Sequence, residues 1–330
     1  MGEPLRAGVR AALPAPGGLA SGALLLGLLA LLAAAPAVLS PYHRGVLAEI
    51  LVWGLFGMAF DLLFGYTGML SFGQALFFGA GAYGAAFAIF RLGAGLWGAL
   101  GVALVVAAAF ALAVGAVAVR VSGHYFLVLT IAVSVLVFLV LESGHWRWIT
   151  GGYSGRPFPA PPITLGPVRL PLTNSLAGYY FVLAAVAVAY AACHRLLASG
   201  VGRVLASIRE NELRARLVGY SVESYRLLAF AVAGVLAGLA GALYALTAQY
   251  TNLAFFHWTV SANAVVWTVI GGTGTLLGPF LGSGLVILGT DVLSAWVPHF
   301  PILVGALVLG VVVFAPEGMV GLLARAVRAR

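Results

Sequence analysis

The sequence predicts an all-α polytopic membrane protein with about ten transmembrane helices, both termini in the cytoplasm, and some helices broken at glycine-rich segments. Its 330 residues are 62% hydrophobic and only 8% charged, with a mean hydropathy of +1.08. Soluble domains carry about 25% charged residues. So few charges cannot form a soluble surface, so a soluble enzyme is excluded, and we expect residues 1–330 to form one transmembrane domain.

Apolar runs long enough to cross a bilayer, at roughly 20 residues each, recur along the chain. A glycine cluster alone separates the eighth run from the ninth, so eight or nine spans are alternatives to ten. The first run follows Arg6 and Arg10, as in a cleavable signal peptide, but the many later spans favour an uncleaved helix. The runs are 19–39, 45–63, 73–90, 95–119, 124–142, 177–197, 226–246, 255–271, 276–294 and 301–316.

The arginines predict the orientation. The net charge is +8, and all 17 cations are Arg. With ten crossings and a cytoplasmic N-terminus, twelve Arg fall on the inner side and five on the outer side. The opposite orientation would violate the positive-inside bias. The single Cys, Cys193, lies in an apolar run, which excludes a disulfide framework and a cysteine-based metal cluster.

Two segments between the apolar runs are long enough to form structure of their own outside the membrane. The first, 143–176, is rich in Gly, Pro and aromatic residues, and its prolines forbid a long regular helix. We expect an ordered extracytoplasmic loop that acts as a lid or docking surface, or else a plain connector. The second, 198–225, is expected on the cytoplasmic side.

This cytoplasmic segment, 198–225, holds seven of the charged residues. Its pattern predicts an amphipathic helix from Arg203 to Val218, with Ser199 as N-cap and Gly219 just beyond the C-terminus. Glu residues alternate with Arg, which favours docking to a protein over contact with lipid headgroups alone. One predicted face carries Val204, Ile208 and Ala215, and another carries Arg209, Glu212 and Arg216.

Two glycine-rich segments interrupt the apolar runs, at 65–74 and 271–279. Glycine and proline free backbone groups that lipid cannot satisfy, so such backbone is expected where it is buried in protein or lines an aqueous cavity. Paired broken helices in the two halves of a transporter point to the translocation pathway. Other glycines are expected to pack helices closely; these are Gly79, Gly81, Gly84, Gly234, Gly238 and Gly241.

Four ionisable residues fall in or beside predicted spans. Asp61 and Glu142 are expected at the membrane interface, Glu49 lies about one turn from a boundary, and Asp291 lies near the outer end of its span. No pair has the spacing of a proton relay or a metal site. The sequence holds no Walker A loop, nucleophile constellation or cofactor fingerprint, so the chain is not expected to be an enzyme.

The sequence resembles the permease subunits of ABC importers for branched-chain amino acids, of the LivM type. The resemblance covers most of the chain in ordered blocks, of which the coupling segment and the late IGGTGTLLGPFLG motif are the most specific. The blocks are GYTGMLSFGQALFFGAGAY at 65–83, VSGHYFLVLTIA at 121–132, TGGYSG at 150–155, GRVLASIRENELRARLVGYSVESYRLLAF at 202–230, AGLAGALYAL at 237–246, IGGTGTLLGPFLG at 270–282 and FAPEGMVGLL at 314–323.

The resemblance implies a permease in the bacterial cytoplasmic (inner) membrane that works by alternating access. Its partners would be a homologous permease of the LivH type, two ABC ATPase subunits and an extracytoplasmic solute-binding protein. ATP and Mg would bind the ATPases, and this chain would bind no cofactor and no nucleic acid.

The resemblance also implies roles for two sets of residues. Residues 202–218 would be the coupling helix on the ATPase, with contacts from Gly202, Arg203, Ile208, Arg209, Glu210, Asn211, Glu212 and Arg216. The pathway would involve Gly65, Tyr66, Thr67, Gly68, Ser71, Gly73, Gln74, Gly271, Gly272, Thr273 and Gly274.

Two residues depart from the family pattern. Asn263 stands where members often carry an acidic residue, and Gln74 stands where many carry His. The expected cargo is a branched-chain or related hydrophobic amino acid, and urea, short amides or aromatic acids are the alternatives. Two readings from other classes are a secondary transporter or channel acting alone, which would not need ATP, and a structural membrane protein with no flux.

Overall fold

The computed structural model describes residues 19–121, 123–165, 168–293, 300–314 and 318–322. Each of the ten predicted apolar runs coincides with a helix, with ends that differ by a few residues. The helices are α1 (Leu19–Ala34), α2 (Pro41–Thr67), α3 (Gln74–Leu92), α4 (Leu96–Ala118), α5 (His124–Glu142), α6 (Arg147–Thr150), α7 (Ser175–Ala198), α8 (Gly200–Glu210), α9 (Glu212–Leu217), α10 (Val222–Ala248), α11 (Trp258–Gly271), α12 (Gly278–Leu293) and α13 (Phe300–Phe314).

Six of these helices, α2, α3, α4, α5, α7 and α10, are long and apolar enough to cross a membrane. Four shorter apolar helices, Leu25–Ala37, Trp258–Gly271, Gly278–Val292 and Ile302–Val311, correspond to the remaining predicted runs. The described part of the chain is therefore a predominantly helical bundle typical of polytopic membrane proteins. The count of ten crossings and the cytoplasmic termini stay predictions.

The core of the bundle consists of α2, α3 and α10. In α2, 78% of the most apolar stretch is buried, whereas in α5 only 17% is buried, so α5 lies at the periphery. Trp53 of α2 stacks on Phe78 of α3 with ring centroids 5.0 Å apart, and it also contacts Tyr244 of α10 and Trp267 of α11. This aromatic cluster joins four elements at the centre of the molecule.

Glycines bring α3 and α10 into direct backbone contact, as the sequence predicts. A Cβ on Gly81 would lie 2.6 Å from the Gly238 Cα, and a Cβ on Gly241 would meet the Phe78 carbonyl. No larger residue fits at these positions without separating the helices. Gly79 and Gly84 likewise face Phe256 and Ala103.

The described residues of the 143–176 loop form short helical turns and strands. Its β1 (Arg156–Pro157) pairs antiparallel with β4 (Tyr250–Thr251), and β2 (Ile163–Leu165) pairs with β3 (Val168–Leu170). The Tyr83 hydroxyl donates to the Thr150 carbonyl at 3.0 Å. These contacts join the loop to α3 and to the segment between α10 and α11. Its role as a lid, docking surface or connector stays a prediction.

A second set of contacts joins helix ends on the same side as this loop. The Tyr42 hydroxyl donates to the Asp291 carboxylate, and the Tyr179 hydroxyl donates to the Leu32 carbonyl at 2.7 Å. Arg44 reaches the Ser175 hydroxyl at 3.4 Å. The ends of α1, α2, α7 and α12 that the charge pattern assigns to one side of the membrane are therefore joined in the fold.

Candidate functional site

The segment predicted to be cytoplasmic, 198–225, which we call the cytoplasmic segment, forms two helices rather than the one predicted. Ser199 caps α8, as predicted, by accepting a hydrogen bond from the Val201 amide at 3.2 Å. The chain then leaves helical geometry at Asn211, whose side chain accepts from the Arg214 amide at 3.0 Å and caps α9. The prediction of a continuous helix from 203 to 218 is wrong because asparagine at this position makes a better N-cap than a mid-helix residue.

One face of α8 and α9 packs against the start of α10. Val204, Ile208 and Ala215 share this face, as predicted, and form a buried cluster with Val222. Gly202 lies against the Leu197 carbonyl, where a Cβ would clash with the backbone. Gly202 and Ile208, predicted to contact an ATPase, are therefore buried inside this chain.

The acidic residues of the segment hold it to α10 through a charge network. Glu212 accepts two hydrogen bonds from Arg226, at 2.7 and 3.2 Å, and one from Arg216 at 2.9 Å. Arg216 also pairs with Glu223 at 2.5 Å. Burial opposes ionisation of Glu212, but the hydrogen bond from Arg216 and the charge of Arg226 outweigh it and lower its pKa.

The exposed side of α9 carries apolar residues that the sequence analysis did not single out. We call Leu213, Leu217, Val218 and Tyr220 the exposed apolar patch; their exposed fractions are 68%, 80%, 70% and 41%. The sequence alone could have identified this patch, because its apolar residues fall outside the helical face that carries Val204, Ile208 and Ala215. Four residues of the predicted coupling set are also exposed in this segment, and they are Arg203, Glu210, Asn211 and Arg216.

Arg209 points in the opposite direction, into the protein. Its Nη1 donates a hydrogen bond to the carbonyl of Gly65, and its Cγ lies 3.5 Å from where a Cβ would stand on Gly68. Burial lowers the pKa of Arg209, while the charge of Asp61 opposes this shift. The predicted face shared by Arg209, Glu212 and Arg216 is therefore wrong, because the break at Asn211 changes the direction of the chain.

The first glycine-rich segment ends α2 and turns the chain into α3. Gly68 adopts a left-handed conformation with a φ of 75°, and its amide bonds to the Phe64 carbonyl at 3.2 Å, as in the αL motif that ends many helices. The Thr67 hydroxyl bonds back to the Leu63 carbonyl at 2.6 Å. Tyr66 is half-buried beside this turn.

The second glycine-rich segment connects α11 to α12. Gly272 and Gly274 have φ values of 121° and 76°, which favour glycine. The Thr275 hydroxyl donates to the Gly272 carbonyl at 2.7 Å, and Gly271 packs against Gly278. Thr273 is half-buried at the tip of this turn.

The two glycine-rich segments contact each other, and Arg209 contacts both of them. The Gly274 amide donates to Asp61 Oδ1 at 2.8 Å, and a Cβ on Gly65 would lie 2.6 Å from the Gly274 nitrogen. Arg209 Nη1 lies 3.7 Å from where a Cβ would stand on Gly274. We call Asp61, Gly65, Gly274 and Arg209 the glycine junction.

Asp61 is fully buried inside the protein, and its position relative to the membrane interface stays a prediction. Periodicity alone does not reveal that a turn far along the chain supplies an amide to a carboxylate inside an apolar helix. The second oxygen, Oδ2, has no hydrogen-bond partner within the described residues.

The start of α3 lies in a separate polar cluster. The Phe72 amide donates to Thr130 at 3.2 Å, the Gly73 amide to Ser71 at 3.2 Å, and the Ala75 amide to Ser261 at 2.8 Å. These hydroxyls satisfy amides that a helix N-terminus leaves free. Gln74 is fully buried here, and neither amide atom of its side chain has a partner in the described part of the chain. Asn263 is exposed on α11.

Comparison with known proteins identifies the family of this chain. The family described as "Branched-chain amino acid transport system / permease component" matches residues 43–316. The high-affinity branched-chain amino acid permease protein LivM of Escherichia coli K12 is 25% identical over 89% of this chain and 74% of its own length. The Salmonella typhimurium LivM is 24% identical over the same shares.

A second group of relatives matches a smaller share of the chain and is named for a different cargo. The autoinducer 2 import system permease protein LsrC of an Enterobacter species is 29% identical over 64% of this chain and 64% of its own length. No solved structure gives a significant match. The family match spans most of the chain, including both glycine-rich segments and the cytoplasmic segment, so the chain belongs to the permease components of branched-chain amino acid transport systems.

Proposed function

We propose that the chain is the permease subunit of an ATP-driven importer in the bacterial inner membrane. It moves branched-chain or related hydrophobic amino acids by alternating access, together with a homologous permease. Two ATPase subunits bind ATP and Mg on the cytoplasmic side, and a solute-binding protein delivers cargo outside. The chain itself binds no cofactor.

The observation that carries this proposal is the position of the cytoplasmic segment. It presents an exposed apolar patch on one side and contacts both glycine-rich segments through Arg209 on the other. A stand-alone secondary transporter has no use for such a connection. An importer needs it, because force generated by a cytoplasmic ATPase must reach the backbone that lines the pathway.

Exposed apolar side chains flanked by charges also favour a protein partner for this surface. Leu213 and Leu217 are exposed on α9, and Arg203 and Glu210 are exposed on α8 of the same segment. An apolar centre with a charged rim is typical of protein interfaces. The exposed residues are therefore proposed as the ATPase contacts, and Gly202, Ile208, Arg209 and Glu212 support them from inside.

The test is reconstitution of the complex that co-purifies with the tagged chain. We expect a second permease and ATPases in the preparation, and uptake of labelled leucine into proteoliposomes only when the ATPases have ATP and cargo-loaded binding protein is present. A chain that purifies alone, or uptake that follows an ion gradient without ATP, would contradict the proposal.

A second cargo class is favoured by the LsrC relatives, which belong to an autoinducer 2 import system. The same preparation separates the two. The solute-binding protein is screened by calorimetry with branched-chain amino acids, aromatic acids, urea, short amides and autoinducer 2, and the ligand that binds it identifies the cargo.

A further inference from the structure

Arg209 connects the cytoplasmic segment to the membrane-embedded backbone. The α8 helix that carries it is fixed by the buried residues Val204 and Ile208. The Gly65 carbonyl that it contacts lies in the last turn of α2, where carbonyls lack helical partners and carry partial negative charge. A guanidinium at this place therefore caps the end of α2 with a charged donor.

The end of α2 also contacts the second glycine-rich segment directly. Asp61 lies one turn before Gly65 on α2 and accepts the Gly274 amide at 2.8 Å. Gly65 and Gly274 are in direct backbone contact, since a Cβ on Gly65 would lie 2.6 Å from the Gly274 nitrogen. The end of α2 cannot shift without moving the turn at Gly274.

We propose that Arg209 is a positioning residue that makes the two glycine-rich segments move as one unit with the cytoplasmic segment. The inference rests on the proposed function, in which that segment receives the motion of the ATPase. It assigns Arg209 to coupling inside the chain, in place of a direct contact with the ATPase. Asp61 carries the same coupling from the first glycine-rich segment to the second.

This assignment differs measurably from two simpler roles. A residue that only binds the ATPase would reduce the yield of the complex when replaced. A residue that only stabilises the fold would reduce complex yield, ATP hydrolysis and transport together. A coupling residue leaves assembly and hydrolysis in place and lowers the amount of cargo moved per ATP.

The experiment compares Arg209→Gln and Arg209→Lys with Arg195→Gln in the purified complex. Arg195 is exposed at the end of α7, so its replacement removes the same charge outside the glycine junction. For Arg209→Gln we expect complex yield and ATP hydrolysis within about twofold of wild type, and cargo per ATP reduced by about tenfold or more, as the loss of a hydrogen bond from a charged donor implies. Arg209→Lys keeps a charged donor and should restore part of the ratio.

Hydrogen–deuterium exchange on the same variants gives a readout that does not need transport. Peptides covering 61–70 and 271–276 should both exchange about tenfold faster in Arg209→Gln and remain unchanged in Arg195→Gln. Faster exchange in only one segment, an unchanged cargo-to-ATP ratio, or a fall in complex yield parallel to transport would each overturn the inference. If wild type shows no ATP-driven uptake, the proposed function fails, and the exchange data still test the mechanical link.

Discussion

Replacing Gly81 by alanine tests the close approach of α3 and α10. The added Cβ would lie 2.6 Å from the Gly238 Cα and 2.5 Å from its carbonyl carbon. Non-bonded carbons prefer about 3.5 Å or more, so the helices must separate by about 1 Å. The neighbouring atoms are backbone and cannot rotate away.

The expected cost follows from this displacement. Overpacking a well-packed core costs typically about 1–3 kcal/mol, and we expect the upper end because Gly241 on α10 also lies against α3. Gly101→Ala is the matched control: Gly101 lies in the second turn of α4, with open space where a Cβ would stand. There alanine should leave stability unchanged or raise it by about 0.5–1 kcal/mol, because glycine is the poorer helix former.

The assay is reversible unfolding in mixed micelles by a titration with sodium dodecyl sulfate, followed by tryptophan fluorescence. Gly81→Ala should lower the free energy of unfolding by about 3 kcal/mol relative to wild type. A change within about 0.5 kcal/mol, the range of neutral surface substitutions, would refute the packing argument.

Three further predictions concern the cytoplasmic segment. Leu217→Asp should reduce co-purification of the ATPases by about tenfold or more, as expected for a residue at the centre of an interface. The control Leu170→Asp, in the 143–176 loop, should not reduce it. Equal ATPase yields from the two variants would exclude the exposed apolar patch as the docking site. Glu212 has a lowered pKa in the folded state, so its ionised form stabilises the fold above the ordinary glutamate pKa of about 4.3, and this contribution is lost as the pH falls through the folded pKa. In unfolding titrations from about pH 6 to about pH 3, the free energy of unfolding of Glu212→Gln should therefore fall less steeply than that of wild type. Parallel curves for the two proteins would contradict this. Arg226→Ala should cost about 2 kcal/mol, because the Arg226 side chain is only 12% exposed and its loss removes two of the three hydrogen bonds to Glu212. Arg216→Ala should cost less than about 1 kcal/mol, because Arg216 is 46% exposed. The reverse order in unfolding titrations would be inconsistent with the network.

The helices were predictable because every helix that spans a lipid bilayer needs an apolar run of roughly 20 residues. Each apolar run became a helix, and the paired glycines of α3 and α10 pack as their spacing indicates. Local signals also sufficed for the caps at Ser199 and Gly219, since these depend on neighbouring residues alone.

The contacts of the glycine junction required tertiary information. The amide that Asp61 binds belongs to Gly274, far along the chain, and no periodicity links the two. The inward direction of Arg209 depends on the break at Asn211, where a capping preference competes with helix continuation. The sequence shows both options, and the packing of α8 against α10 decides between them.

The contact between α3 and α10 also has a consequence for biogenesis. Translation must add residues 93–221 after α3 is complete before α10 begins, which takes on the order of 10 s at bacterial rates. During this interval the glycine face of α3 and the Asp61 carboxylate have entered the membrane without the partners that later cover them. The nascent chain therefore needs either the insertion machinery or neighbouring helices to shield them, and a chain truncated before α10 should be a substrate for membrane quality-control proteases.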